Sequence, residues 1–381
     1  MTTPLAAAAI ARARTALDVA TASAARPLAD FPIHDTITAR LAGRDLPWAA
    51  ERMHNEYTER GFVTDRGGIL VDPRVFFGRA LLFSPSGSNL VATGVDSLVS
   101  SEELGVTPAV VRAGATMLSD LQGGSRIPTI SSSGSASWVS TETGAPSQDS
   151  AVFAQYDLAP KQVTAWVDVS RLLRRTSGVN IDRLIAGYFG RAMARAIDRA
   201  ALVGDPVATP GSPRGIAQTS GVGSVVMGPN GGPLTRARLR EFFEDVALSN
   251  GIRPASRYAF AINAATAGYC YATETASGSG RYLFEPEGND ASVGKLGGYP
   301  AVITNNLPAN GTKGTSSGIC STVICGDFTE LTLATWGPIE IVIDPYKNAS
   351  RGAVRIVALW SVDIGIAHPA AFTVATDVTT P

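Results

Sequence analysis

The residue types that most often carry chemistry are few in this chain and far apart. Histidine occurs three times, at His34, His54 and His368. His34 and His54 stand outside any pattern of nucleophile or metal ligands and read as surface histidines. His368, before Pro369 in an apolar stretch, reads as a hydrogen-bonded structural residue. Cys270, Cys320 and Cys325 are odd in number and lack CxxC spacing, so neither a disulfide framework nor a zinc site is expected, and buried free thiols are. Glu142 with Asp149, and Asp327 with Glu330, are the nearest approach to the paired carboxylates of acid–base catalysis, and both read as solvated faces. Gly123-Gly124 and Gly231-Gly232 lack the flanking residues of a phosphate cradle, and no GxSxG elbow is present. No catalytic, cofactor-binding or metal-ligating set is therefore expected, and no cofactor.

The bulk properties exclude further classes. With 381 residues and 45% hydrophobic content there is material for two or three subdomains around a sizeable core. Lys plus Arg total 32 against 33 Asp plus Glu, which leaves no overall basic footprint for tight nucleic-acid binding and lets copies of the chain associate with little repulsion. No run approaches 18 apolar residues, so no membrane span is expected. The opening MTTPLAAAAIARARTALDVA is interrupted by Arg12 and Arg14 and does not read as a secretory signal. The expectation is a soluble protein made in a reducing cytoplasm.

The element that organises the chain is a helix from Asn180 to Gly204. Asn180 can cap it and Gly204 can end it in the left-handed conformation. Ile181, Leu184, Ile185, Tyr188, Ala192, Met193, Ala196 and Ile197 recur at spacings of three and four and predict one buried stripe, with Leu184, Ile185, Tyr188, Met193 and Ile197 as its core. Arg183, Arg191, Arg195 and Arg199 lie on the other side. At 1.5 Å per residue the helix is roughly 35 Å long, enough to serve as a spine for strands.

Around the spine, segments 30–66 suggest two short helices, 67–100 an extended arm, and SEELGVTPAVVRAGATML a short helix followed by a strand. From Ser125 to Ser170 strand patterns flank a polar tip, TETGAPSQDSAV, and predict a long hairpin reaching out of the body. An isolated hairpin has nothing to bury against, so a second subunit is expected to cover it, with Trp138, Tyr156 and Leu158 supplying apolar area. After the spine come a helix in LTRARLREFFEDVALSN, the strand RYAFAIN, the helix AATAGYCYATE, polar loops at 278–295 and 307–318, and apolar strands to the end, the last two bent at His368-Pro369.

The order of these pieces resembles the major capsid proteins of tailed double-stranded DNA phages with the Hong Kong 97-type fold. The residues that carry the resemblance run from about Ser88 to Val378: ASWVSTETGAPSQDSAVFAQYDLAPKQVTAWVDVSRLL, the spine with Asp182, Asp198 and Gly204 followed by PRGI, GRYLF, LGGYPAVITNNLP, CGDFTELTLATWGPIEIVIDPY and VRIVALWSVDIGIAHPAAFTV. The resemblance implies an α+β fold with a leader and arm at 1–87, a peripheral domain starting at 88–123, an extended loop at 124–165, the spine-bearing part of the peripheral domain at 166–214, an axial α/β domain at 215–345, and peripheral C-terminal strands at 346–381. It implies pentamers and hexamers that close an icosahedral shell around double-stranded DNA, without sequence-specific binding. Assembly contacts at Trp138, Glu142, Tyr156 and Leu158 follow, as do a portal, a prohead protease or scaffold and decoration proteins as partners. The expected location is the virion, assembled in the host cytoplasm.

Alternatives that share the fold are an encapsulin-type compartment and the capsid of a phage-derived gene transfer particle; an enzyme is a third class, disfavoured by the scattered histidines. In the family's founding example a lysine at the loop tip is joined to an asparagine with help from an acid. Asn348 and Asp363 roughly match the last two. No lysine lies between Arg126 and Pro160, so no such cross-link is expected here.

Overall fold

A computed structural model describes residues 44–62, 68–72, 108–132, 152–170, 181–248, 257–276, 278–287 and 290–380, with isolated positions at 36, 39, 40 and 64. The fold is mixed α+β and dominated by strands. In chain order the elements are α1 (Trp48–Glu59), β1 (Ile69–Val71), α2 (Ala109–Arg112), β2 (Thr116–Leu118), β3 (Ser125–Ser132), β4 (Val152–Leu158), β5 (Lys161–Ser170), α3 (Ile181–Val203) and β6 (Gly223–Ser224). There follow α4 (Arg236–Leu248), β7 (Tyr258–Ile262), α5 (Ala264–Ala272), β8 (Phe284–Glu287), β9 (Asp290–Leu296), β10 (Tyr299–Ile303) and β11 (Gly311–Lys313). The chain closes with β12 (Ser316–Asp327), β13 (Leu331–Thr335), β14 (Ile339–Asp344), β15 (Ala353–Ile366) and β16 (Phe372–Thr379).

Among the described residues these strands form a six-stranded sheet, an eight-stranded sheet and the two-stranded hairpin β3–β4. In the first sheet β15 is central, with β5 antiparallel on one side and β14 and β13 in succession on the other. In the second the order β6-β16-β12-β7-β10-β9-β8 joins the last strand of the chain to strands more than a hundred residues earlier. Both faces of that sheet are covered. Ala259 and Ala261 of β7, Ile324 of β12, and Phe372 and Val374 of β16 belong to one apolar core, which also takes in α3 and the inner face of the six-stranded sheet. Phe260, Ile262, Val323, Cys325, Ala375 and Val378 belong to a second core with residues of α4 and α5. Burial on both faces explains the near-continuous apolar runs of β7 and β12, which alternation alone would not produce.

Helix α3 forms close to its expected bounds, and Ile185, Met193 and Ile197 are buried as expected. The side chain of Leu184 and the cap Asn180 lie outside the described residues. Tyr188 corrects the expected stripe. It is 42% exposed, because the fully buried member of that turn is Phe189, and one residue of helix turns the next side chain by about 100°. The Tyr188 ring packs edge-on against Phe189, and its hydroxyl donates to the Trp166 carbonyl at 3.3 Å. Gly204 ends the helix for a different reason from the one expected: it does not adopt positive φ. A Cβ there would lie 2.4 Å from the carbonyl oxygens of Ala200 and Pro213, and one on Gly215 would lie 2.5 Å from Gly204 N. The pair of glycines lets the returning backbone press against the helix end, where Gly215 N donates to Gly204 O at 2.9 Å.

Four further expectations change. Ile69–Val71 is not a free arm but an edge strand paired with Ile339–Ile341, buried under α1 through Ala50. The segment 278–295 is not a plain loop, since it contains β8 and most of β9, which pair antiparallel. Part of 307–318 forms β11, paired with β12. The two C-terminal strands separate, β15 staying in the six-stranded sheet while β16 crosses into the other.

His54 is half-buried rather than on the surface. Its Nδ1 accepts from the Leu70 N–H at 3.4 Å and ties α1 to β1. Burial, helped by the Arg40 charge, lowers its pKa below the ordinary 6.5. The folded state thus prefers the neutral ring, and protonation turns the accepting nitrogen into a donor. This contribution to stability is present above pH 6.5 and is lost as pH falls below it toward the folded-state value. Denaturation midpoints at pH 7.5 and 5.5 should drop more for the natural chain than for His54→Gln; equal drops would show that His54 has no part in the acid sensitivity.

Candidate functional site

The hairpin leaves the body at a corner that is built rather than loose. In β3–β4, Ser125 pairs with Leu158, Ile127 with Tyr156 and Thr129 with Ala154. At the base Leu158 is 1% exposed, and it packs with Tyr156 over Gly365 of β15. A Cβ on Gly365 would lie 2.5 Å from the Tyr156 ring and 2.8 Å from Leu158 Cδ2, so the glycine is what admits the hairpin. The Tyr156 hydroxyl bonds to Thr332 Oγ1 at 3.2 Å. Between β4 and β5 the chain turns through Ala159-Pro160, and there the buried Asp363 carboxylate accepts from Ala159 N–H at 2.9 Å and Lys161 Nζ at 2.7 Å. The Trp336 indole N–H donates to the Gly123 carbonyl and holds the other strand.

Of the residues expected to meet a neighbouring subunit, Trp138 and Glu142 lie outside the described residues. Tyr156 and Leu158 pack on the chain's own sheet, where Gly365 opens a slot for them. Lys161 sits at the corner, with its amine bound to Asp363. Sequence reasoning did not find the Asp363 clamp, since a lone Asp in an apolar strand has no spacing pattern to announce its partners.

Two more polar sites lie in the same sheet and helix. Asp198 stands on α3 off the apolar stripe yet is buried, and its carboxylate accepts from the first two N–H groups of α2, Ala109 at 2.7 Å and Val110 at 3.0 Å, and from the Asn306 amide at 3.3 Å. Burial raises its pKa, while those hydrogen bonds pull the other way. On the outer face, Arg355 makes two hydrogen bonds to Asp168, at 2.7 and 2.8 Å, and lies 3.9 Å from the centre of the Trp166 ring. The hydrogen bond from Arg355 is the main cause that lowers the Asp168 pKa.

His368 Nδ1 lies 2.8 Å from Glu330 Oε2. The three cysteines are buried and free, and burial pushes the Cys270 thiol up to about 12 and Cys325 upward as well, which keeps both from acting as thiolates. Among the described residues no group of three or more His, Cys, Asp and Glu could hold a metal ion. What the geometry supplies is an anchored hairpin on a body fixed by buried carboxylates.

The fold is similar to the capsid of a native GTA particle, with a TM-score of 0.55 at 18% identity, covering 78% of this chain and 96% of that one. It is also similar to chains of Microbacterium phage Oxtober96, at 0.55, 15%, 75% and 96%, and of Gordonia phage Cozz, at 0.53, 17%, 78% and 92%. The Phage capsid family matches residues 91–377, and the chain belongs to that family. The major capsid protein of Halomonas phage phiHAP-1 is 23% identical over 359 residues, which is 92% of this chain and 55% of that protein, so the chain spans about half of that relative's length.

The clamp makes a direct prediction. Asp363→Ala leaves the Ala159 N–H and the Lys161 amine without their partner, at a cost of about 1–3 kcal/mol. Chemical denaturation should show that loss, and amide exchange of residues 153–158 should speed up more than that of β7. Uniform acceleration across both would mean that Asp363 acts on the whole fold and not on the corner.

Proposed function

We propose that this chain is a major capsid protein that assembles into pentamers and hexamers of an icosahedral shell around double-stranded DNA. The observation that carries the reading is the family match over residues 91–377. The clamped hairpin supports it, because an element fixed at its base and lacking a core of its own is suited to lie on a neighbour. On this reading the architecture is Hong Kong 97-like, with residues 124–165 as the extended loop, α3 as the spine of the peripheral domain, 215–345 as the axial domain and 1–87 as leader and arm. Its partners are other copies of itself, a portal, a prohead protease or scaffold, and decoration proteins. It has no enzymatic role, and its place is the virion. A second reading, the capsid of a gene transfer particle, draws support from the similarity to the native and empty GTA particle capsids.

Electron microscopy of the purified, concentrated chain should show closed particles with five- and six-fold clusters; a dispersed monomer under all conditions would sink the proposal. Deleting residues 141–152 should leave a folded chain that assembles poorly, and normal particles from that deletion would free the hairpin of any role in assembly.

Stability of the shell then comes from non-covalent contact. Asn348 and Asp363 flank most of β15, and the ten residue steps from Ala353 to Asp363 span about 33 Å of extended chain, so the two cannot act on one bond within a subunit. Asp363 is already bound to Lys161. Particles boiled in detergent under reducing conditions should run as a single monomer band, whereas a ladder of covalent multimers would show that another amine reaches an acceptor.

A further inference from the structure

We propose that the arginine row on the exposed side of α3, Arg191, Arg195 and Arg199, is the surface this chain presents to the phosphate backbone of duplex DNA. The proposal deepens the shell reading above and rests on it for the identity of the polyanion.

The row follows from spacing. Positions four apart share a helix face and rise by about 6 Å per step. One strand of a duplex offers a phosphate for about every 3.4 Å of axis, so successive arginines can meet alternate phosphates. Arg195 and Arg199 are exposed and Arg191 is half-exposed, on the side away from Ile185, Phe189, Met193 and Ile197. Beside them stand Ala192 and Ala196, whose small side chains leave the guanidinium groups open to a broad partner.

Several other cations meet carboxylates: Arg60 with Glu56, Arg238 with Glu241, Arg240 with Glu244, Arg355 with Asp168, Lys161 with Asp363 and Lys313 with Asp377. Arg195 and Arg199 have no ion pair among the described residues. The acid next to Arg199 in sequence, Asp198, is turned inward onto Ala109 and Val110. Like charges at this spacing disfavour an isolated helix, and a polyanion removes that cost. Because the chain is otherwise balanced at a net charge of −1, the attraction is local, weak and indifferent to sequence. The planar guanidinium adds a two-pronged hydrogen-bonding fit to phosphate that an ammonium lacks.

The test uses the unassembled full chain and a 30-base-pair duplex of arbitrary sequence, with affinity measured between 50 and 200 mM salt. The slope of log K against log salt should be shallower by up to about 2.7 for the R191Q/R195Q/R199Q variant, at about 0.9 for each phosphate no longer neutralised. R195Q alone should give up to about 0.9 and guards against misfolding of the triple variant. R240Q, which removes a paired arginine on α4, should leave the slope unchanged. Particle formation is scored separately by microscopy. If the natural chain forms no particles, the shell reading fails. If it forms them but does not bind the duplex, or if the R195Q and triple-variant slopes match the natural one, the row has been misassigned. A triple variant that keeps the natural slope yet cannot assemble would make the row a contact between subunits.

Discussion

The fold depends on completing the backbone hydrogen bonds of one long strand. β15 runs through the middle of the six-stranded sheet, where an unpaired N–H or C=O would be cut off from water. On one side β5 matches it from Ala353 to Val362. On the other, β14 covers Arg355 to Leu359 and β13 covers Val362 to Ile366, which leaves a gap at Trp360 and Ser361. The linker closes it, since Trp336 N–H donates to Ser361 O at 3.0 Å and the Trp360 indole donates to Gly337 O at 3.2 Å. β13 and β14 are thus one strand with a kink at Trp336-Gly337-Pro338. Gly337 permits the kink, at φ +74°, where a Cβ would also strike the Phe62 ring at 2.6 Å. Both the hairpin and the helix are hung from the sheet that this ladder completes.

Much of this was legible in the sequence because period and pattern report local structure. The alternation of Val163, Ala165, Val167 and Val169 marks β5, and spacings of three and four mark α3 to within a residue at each end. Asn263 caps α5, its side chain accepting from Thr266 N–H at 2.7 Å, a signal that the sequence reading did not use. The misreadings have tertiary causes. Tyr188 fits the stripe by composition, but Phe189 has no hydroxyl to satisfy and takes the buried position. Gly204 has the residue type of a left-handed cap and serves instead as a point of close approach to Gly215. β8 and β9 read as loop because Glu285, Glu287 and Lys295 make that hairpin polar, although Phe284 and Leu296 at its base are buried. The shared middle sheet could not be read at all, because membership of two cores is a property of packing rather than of any one strand.

The buried carboxylates show how such a body keeps one shape. Asp198, Asp363 and Asp377 are each nearly inaccessible, and each accepts a backbone N–H from a distant part of the chain: Ala109 and Val110, Ala159, and Met227. Two of them also bind a lysine at 2.7 Å, Lys161 and Lys313. Ion pairs of this kind, with the carboxylate buried and the lysine part-exposed, add little net stability over apolar contacts of the same size, because desolvation of the carboxylate offsets most of the attraction. Their geometry is demanding, however, and an apolar patch in the same place would tolerate sliding and rotation. Each carboxylate sits at a seam, where α2 meets α3, where β4 turns into β5, and where the Met227 loop and β11 meet β16. Fixing the angle at a seam matters little to a protein that acts alone. In a closed shell an error in one subunit's shape is repeated at every copy, and a few degrees at the hairpin base become several ångströms at its tip. The placement of charge at the seams is therefore what the proposed function demands of a subunit.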